Sequence, residues 1–157
     1  MNAEPQPRGK VPIMDDAQNP MPLSVADIEE IRKLFLRQAA GETSHDIEVI
    51  ESVLACTPPG QADRVNFVAR AYRFWGRDAV IDHFRTVFSG TWRFEPDQDA
   101  IRIVPLGPDT AHIYAPTRIT AGDVGKAATT YTFLVNEIAV RTAEGWRISA
   151  IIPVPAQ

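Results

Sequence analysis

The sequence predicts an α+β domain in which three helices pack on a strongly bent antiparallel sheet. Two stretches with helical spacing of apolar residues come first, and a short pair of strands separates them from a third helix. The rest of the chain alternates apolar and polar residues over long stretches, as antiparallel strands do when one face is buried. A length of 157 residues suits one such domain with a hydrophobic core.

Residues 1–23 are predicted to form a flexible N-terminal arm, and residues 24–157 a single domain. The arm contains five prolines, which remove backbone donors, and it shows little apolar periodicity. The first helix is predicted to begin after Ser24, with Asp27 completing a capping box. Gly41 is predicted to end this helix.

The second helix is predicted to begin at Ser44 and to end at the prolines of the Thr57–Gly60 segment. A third helix is predicted between Gly76 and Ser89, because apolar residues recur there at helical spacing. Six strands are predicted from apolar alternation and turn residues, at 65–68, 72–75, 98–106, 110–121, 127–142 and 146–154.

Charge and composition argue against several classes of partner. The net charge is −4, which disfavours electrostatic binding to nucleic acid or to an anionic membrane. No apolar run approaches the roughly 20 residues of a membrane-spanning helix, and the N-terminus lacks the apolar stretch of a signal peptide. Cys56 is the single cysteine, which is typical of a reducing compartment. We therefore expect a cytoplasmic protein.

Four segments resemble the SnoaL-like and SgcJ-like branches of the nuclear-transport-factor-2-like (NTF2-like, cystatin-like) superfamily. They are ADRVNFV at 62–68, FWGRDAV at 74–80, VFSGTW at 87–92 and EGWRI at 144–148. The resemblance, over residues 24–154, implies a cone-shaped fold whose helices and bent sheet enclose a mostly apolar pocket. Some SgcJ-like members are encoded with enediyne natural-product pathways, which implies a possible role in natural-product biosynthesis.

The chain departs from the patterns of its enzymatic relatives at two positions. The steroid-isomerase-like enzymes that it resembles carry a basic Asp on the first hairpin strand, and the matching position here is about Ala69. Many relatives have a His some six residues after the last Trp, where this chain has Ile152. Both departures remove a titratable group, which favours binding of an apolar molecule over acid–base chemistry.

The candidate catalytic residues are His83, Tyr114 and Glu137. His83 shares a helical face with apolar residues, so it is either a general acid or base or a hydrogen-bonded histidine at the edge of the core. His112 and Tyr114 lie on one strand face and could polarise a carbonyl, or they form an ordinary exposed pair. Asn136 and Glu137 are strand neighbours, so one faces the pocket and the other faces away.

The candidate ligand-binding residues are mostly aromatic, and stacking on such rings suits flat or unsaturated molecules. Plain core packing is the alternative for each of them. No metal-ligand spacing links the three histidines, and no phosphate-binding loop occurs, so neither a metal nor a cofactor is expected. The predicted ligand-binding set is Tyr72, Trp75, His83, Phe88, Trp92, Asn136 and Trp146.

Three functions are compatible with these observations. The first is non-catalytic binding of a hydrophobic small molecule; the second is a cofactor-free isomerase, cyclase or dehydratase; the third is an assembly module without a ligand. The strand at 127–142 is apolar on both faces, so one face is left for a partner and we expect a homodimer packed sheet to sheet.

Overall fold

In the computed structural model of the protein, the described residues are 23–156. The helices are α1 (Val25–Ser44), α2 (Ile47–Val53) and α3 (Arg77–Phe88), and a 3₁₀ turn covers Gln98–Ala100. The predicted arm lies outside the described residues except for Leu23, which is buried in the core. Within the described part of the chain, no helix combines the length and the apolar character needed to cross a membrane.

Helix α1 begins as the sequence predicts but ends later. Ser24 and Asp27 form the expected capping box, in which each side chain bonds the backbone of the other residue. Gly41 does not end the helix. A Cβ atom there would lie 2.6 Å from a Val49 methyl carbon, so the glycine allows α2 to pack closely against α1. The helix ends at His45, which adopts the left-handed conformation at φ 58°.

Seven strands form one bent sheet in the order β2-β1-β7-β6-β5-β3, and β4 also pairs with β5. All pairings are antiparallel except that between β1 and β7. The strands are β1 (Asn66–Val68), β2 (Arg73–Trp75), β3 (Thr91–Pro96), β4 (Arg102–Gly107), β5 (Thr110–Gly122), β6 (Thr129–Thr142) and β7 (Gly145–Pro155).

Strand β3 was not predicted, although Trp92 and Phe94 alternate with charged residues there as strand residues do. It pairs with β5 from Thr117 to Gly122, whereas β4 pairs with the same edge of β5 before Ala115. Strand β5 therefore changes partner along its length, as a strand can where a sheet bends.

The two faces of the sheet have different environments. Odd-numbered residues are buried under the helices from 111 to 119 in β5 and from 135 to 139 in β6, and the even-numbered residues of these stretches lie on the outer face. In β7 this alternation shifts, because the pairing with β6 is irregular between Ile138 and Ala139. Trp146 and Ile148 are therefore on the inner face, but Ile152 pairs with Asn136 on the outer face. The prediction that Ile152 shares a face with Trp146 is wrong for this reason.

A cluster of polar side chains connects the start of α1 to the β6–β7 hairpin through hydrogen bonds. Asp27 accepts hydrogen bonds from Trp146 Nε1 at 3.1 Å and from Arg141 Nη1 at 2.9 Å. The Arg141 guanidinium also lies over the Trp146 ring, 4.7 Å from its centre, and bonds Asp109. These hydrogen bonds, above all the one from Arg141, hold the pKa of Asp27 well below its usual range.

Replacement of Asp27 by Asn should lower the melting temperature at neutral pH. Because folding lowers the pKa of Asp27, its stabilising contribution is present above the ordinary value of 3.8 and is lost as the pH falls below it. The difference between Asp27→Asn and the parent protein should therefore shrink in acid. Thermal unfolding followed by circular dichroism measures this. The control is Asp123→Asn, whose carboxylate forms an exposed pair with Lys126. An equal loss in both variants would contradict the prediction.

The homodimer remains a prediction, and we expect its interface on the outer face of the sheet. Val104 and Val154 are each 44% exposed there, beside the half-buried Ile138 and Ile152. Light scattering at micromolar concentration should give twice the mass of the chain. Ile152→Glu should reduce this to one chain mass by placing a charge in the interface, whereas Val25→Glu on exposed α1 should not. A monomeric parent protein would contradict the idea.

Candidate functional site

A cavity of about 1290 Å³ opens between α3, the β1–β2 hairpin and the ends of β5, β6 and β7. We call it the candidate pocket. Its inner wall is largely aromatic and aliphatic, which suits an apolar ligand. The wall is formed by Phe67, Ala69, Phe74, His83, Val87, Trp92, Ile119, Phe133 and Pro153.

His83 is the titratable residue of this inner wall. Its ring lies 4.5 Å from that of Phe74 and 4.7 Å from that of Phe67, measured between centres, and Tyr72 is 5.5 Å away. Burial among these rings lowers the pKa of His83 to about 4, so the imidazole is neutral at physiological pH. Among residues 23–156, no group hydrogen-bonds its ring nitrogens. The ring can therefore donate to or accept from a bound molecule.

The charged groups of the candidate pocket lie at its rim. Asp82 is paired with Arg85 at 2.8 Å and Asp123 with Lys126 at 3.2 Å, while the Arg70 side chain is exposed. No group of three or more His, Cys, Asp or Glu side chains within residues 23–156 is arranged to hold a metal ion.

The structure brings three of the seven predicted ligand-binding residues to the candidate pocket. Tyr72 stands at the rim, half exposed, while His83 and Trp92 line the wall. Ala69 also lines the pocket, so the position at which the resemblance implies a catalytic Asp holds a methyl group. That position offers no acid or base.

The other four predicted ligand-binding residues lie elsewhere. Trp75 is 69% exposed on the edge strand β2, and Phe88 stacks on His45 at 4.9 Å instead of facing the cavity. Asn136 lies on the outer face, because the strand period places Glu137 inside. Trp146 is buried at the other end of the sheet, where Asp27 accepts its N–H.

The candidate catalytic residues Tyr114 and Glu137 do not line the candidate pocket. Tyr114 lies on the outer face with His112, whose Nε2 lies 2.9 Å from Asn136 Oδ1. Glu137 is 0% exposed beneath the inner face of the sheet. Of the three candidates, only His83 has a side chain that a ligand in the pocket can touch.

Glu137 belongs to a buried polar cluster that the sequence analysis missed. The Gln38 Nε2 amide donates to Glu137 Oε1 at 2.7 Å and to Glu42 Oε1 at 2.9 Å, and all three side chains are buried. Gln38 and Glu42 continue the helical spacing of Ile31 and Phe35 on the buried face of α1. That spacing was the available signal, since it places two polar residues in an apolar stripe.

Ionisation of both buried carboxyl groups, Glu42 and Glu137, would cost considerable free energy. Within residues 23–156, neither forms an ion pair with Lys or Arg. Burial raises the pKa of Glu42 to about 7, and burial together with the nearby Glu42 raises the pKa of Glu137 well above its usual range. The cluster therefore retains at least one proton near neutral pH.

Removal of one ionisable group from this cluster should make stability less dependent on pH. Because folding raises the pKa of Glu42 and Glu137, the folded protein keeps protons that the unfolded chain releases above about pH 4.5, so stability falls as the pH rises. Glu137→Gln should reduce this fall and raise the unfolding free energy by about 1–3 kcal/mol in mildly alkaline buffer.

Urea unfolding at several pH values measures this effect. Glu95→Gln is the matched control, because Glu95 forms an exposed pair with Arg93. A parent protein and a Glu137→Gln variant with the same pH profile would show that the buried pair does not hold a proton.

Comparison with known proteins identifies the architecture. No protein-family model matches the sequence, and no curated protein matches it. Solved structures do match. A proposed dehydratase of the NTF2-like family from Streptomyces avermitilis is 18% identical with a TM-score of 0.71, over 83% of this chain and 97% of that one.

Two further structures give the same result. A ketosteroid isomerase-like protein from Erwinia carotovora atroseptica is 14% identical with a TM-score of 0.64, over 85% of this chain and 96% of that one. An NTF2-like protein with a cystatin-like fold from Novosphingobium aromaticivorans is 18% identical with a TM-score of 0.63, over 85% and 84%. At such identities the likeness concerns architecture alone, and the chain has the α+β, NTF2-like (cystatin-like) fold.

Proposed function

We propose that the protein binds a hydrophobic small molecule in the candidate pocket. The observation that carries this proposal is the composition of the wall: a cavity of about 1290 Å³ is surrounded by aromatic and aliphatic side chains, with one largely buried titratable group, His83. Apolar surface removed from water on binding supplies the driving force, at about 25 cal/mol per Å² before the entropic cost of association.

The shape and chemistry of the wall favour a flat, largely uncharged ligand. Phe67, Phe74 and Phe133 offer ring faces or edges, and neutral His83 offers one hydrogen bond to a carbonyl or hydroxyl group. A polyketide or enediyne-type product or intermediate has this character. The motifs that resemble the SnoaL-like and SgcJ-like branches support such a ligand and a role in natural-product biosynthesis.

A second candidate function is a cofactor-free isomerase, cyclase or dehydratase. His83 favours it, because an imidazole that lacks a hydrogen-bond partner among residues 23–156 and faces an apolar cavity can move a proton of the ligand. Two solved structures of this fold carry the names of a proposed dehydratase and a ketosteroid isomerase-like protein. Ala69 at the position of the isomerase base weighs against an isomerase of that type.

An assembly module without a ligand is the least supported function, because a protein of that kind would be expected to have a packed interior in place of an open cavity.

We also propose a cytoplasmic location. Cys56, the single cysteine of the sequence, is exposed as a free thiol, which is the usual state in a reducing compartment.

Binding should be measurable with N-phenyl-1-naphthylamine, a neutral aromatic probe, and with a panel of aromatic polyketides. Phe133→Ala should weaken binding of the probe by about tenfold, because a ring of the pocket wall is lost. The matched control is Trp75→Ala, which removes an exposed ring outside the pocket and should leave the affinity unchanged.

Replacement of His83 by alanine distinguishes between the two candidate functions. For a binder, His83→Ala should change probe affinity less than threefold or so and no ligand should be converted. For an enzyme, a ligand of the panel should be turned over, and His83→Ala should abolish turnover while affinity is kept. Equal effects of Phe133→Ala and Trp75→Ala on the probe would contradict binding in the candidate pocket.

A further inference from the structure

The buried cluster of Gln38, Glu42 and Glu137 is connected to the candidate pocket through one side chain. Trp92 lines the pocket, and its indole Nε1 donates a hydrogen bond of 2.9 Å to Glu42 Oε2. One carboxyl oxygen of Glu42 therefore accepts a hydrogen bond from Trp92 in the pocket wall, and the other accepts one from Gln38. A chain of three hydrogen bonds thus joins the indole to the carboxyl group of Glu137.

Two atoms of this cluster have no hydrogen-bond partner among residues 23–156. They are Glu137 Oε2 and Gln38 Oε1, both fully shielded from solvent. A carboxylate at Glu137 would leave a charged oxygen without a donor, which is unfavourable in a buried site. Both hydrogens of the Gln38 amide already bond the two glutamates. Glu137 is therefore the carboxyl group that keeps its proton, and Glu42 is the one that changes charge.

The residues packed around the cluster include the other ionisable groups that could affect Glu42 and Trp92. Strands β5 and β7 place Ile113 and Ile151 beside Glu137, and neither carries a charge. His45 Nε2 lies 2.9 Å from the backbone oxygen of Trp92, and His83 of α3 faces the same cavity. Of the charged residues of α1, Glu42 is the one that contacts the indole.

We propose that Glu42 is a positioning residue of the candidate pocket: its carboxyl group, which also accepts a hydrogen bond from Gln38, holds the Trp92 indole in the wall. The inference rests on the proposed ligand-binding function, because positioning a wall residue matters only if a ligand uses the wall. A hydrogen bond from an N–H group to a carboxylate is stronger than one to a neutral carboxylic acid. The indole is therefore held most firmly when Glu42 is ionised.

Ligand binding and the charge of Glu42 are then linked. A ligand that packs on the held indole binds better to the ionised form, and by reciprocity it favours release of the Glu42 proton. The affinity for an uncharged aromatic ligand should rise with pH across the neutral range. Since burial raises the pKa of Glu42 to about 7, the change falls where the charge of His83, with a pKa of about 4, is already constant.

Nuclear magnetic resonance tests the connection without any ligand. In ¹⁵N spectra of the whole protein, the Trp92 Nε1–H signal should move with a midpoint near pH 7. Glu42→Gln should abolish this movement, because an amide accepts the same hydrogen bond but does not ionise. Glu137→Gln should keep both the movement and its midpoint, because Glu137 stays protonated while Glu42 ionises. The Trp75 signal is the internal control.

Probe binding tests the effect on the pocket. The affinity for N-phenyl-1-naphthylamine should be about fivefold higher at about pH 8 than at about pH 6 in the parent protein, and the same at both in Glu42→Gln. Trp92→Phe keeps a ring but removes the N–H donor, so it should abolish the pH dependence as well. This variant serves the same purpose if Glu42→Gln does not fold.

The outcomes are distinct. A Trp92 signal that still titrates in Glu42→Gln would show that another group causes the movement, and it would overturn the proposal. A probe affinity that is independent of pH in the parent protein would also overturn it, even where Phe133→Ala weakens binding and the ligand-binding function holds. If the probe and the aromatic panel do not bind at any pH, the proposed function and the positioning role both fail, while the nuclear magnetic resonance titration still decides whether Glu42 and Trp92 are connected.

Discussion

Twelve residue pairs join β5 to β6, from Thr110–Val140 to Ala121–Thr129, and the other elements are placed relative to this pairing. Over 111–119 of β5 and 135–139 of β6, its register places the odd-numbered residues under the helices and the even-numbered residues on the outer face. A slip by one residue would exchange the two faces, since side chains alternate with a period of two. The positions of Ile119 and Phe133 in the pocket wall and of the buried Glu137 follow from that one register.

Desolvation then decides how the polar groups inside the cone behave. His83 is surrounded by aromatic rings and loses its charge, so the pocket is uncharged where a ligand would sit. Glu42 and Glu137 are buried without a cation among residues 23–156, so they hold a proton between them. The same physical effect has opposite consequences for the two residue types: it lowers the pKa of the imidazole and raises that of the carboxyl groups.

The fold itself leaves the function open, because many unrelated activities occur on one architecture. The site residues are more informative. Ala69 offers only a methyl group at the position of the isomerase base, β7 contributes prolines to the pocket, and the remaining imidazole is a weak base. Binding through apolar area needs none of these groups, which is why it is the better supported function and catalysis by His83 the alternative.

The sequence by itself determined the architecture and much of the element order. Helical spacing predicted α1 and α3, and the Ser24–Asp27 capping box predicted the start of α1. Apolar alternation and turn residues predicted β5 and β6. These signals depend only on neighbours in the chain. The resemblance to the NTF2-like superfamily, and not local spacing, implied a pocket, and three residues of the predicted ligand-binding set, Tyr72, His83 and Trp92, line the candidate pocket.

Only the tertiary structure decided the contacts that arise between distant elements. The irregular pairing of β7 with β6 places Ile152 on the outer face. Gly41 lies inside α1 and allows Val49 of α2 to approach closely, so this glycine does not mark the end of the helix. Gln38, Glu42 and Glu137 meet across about a hundred residues of chain, with a separation of 99 between Gln38 and Glu137. Such contacts depend on the register of strands and on the crossing of helices, and no local pattern of residues specifies either of them.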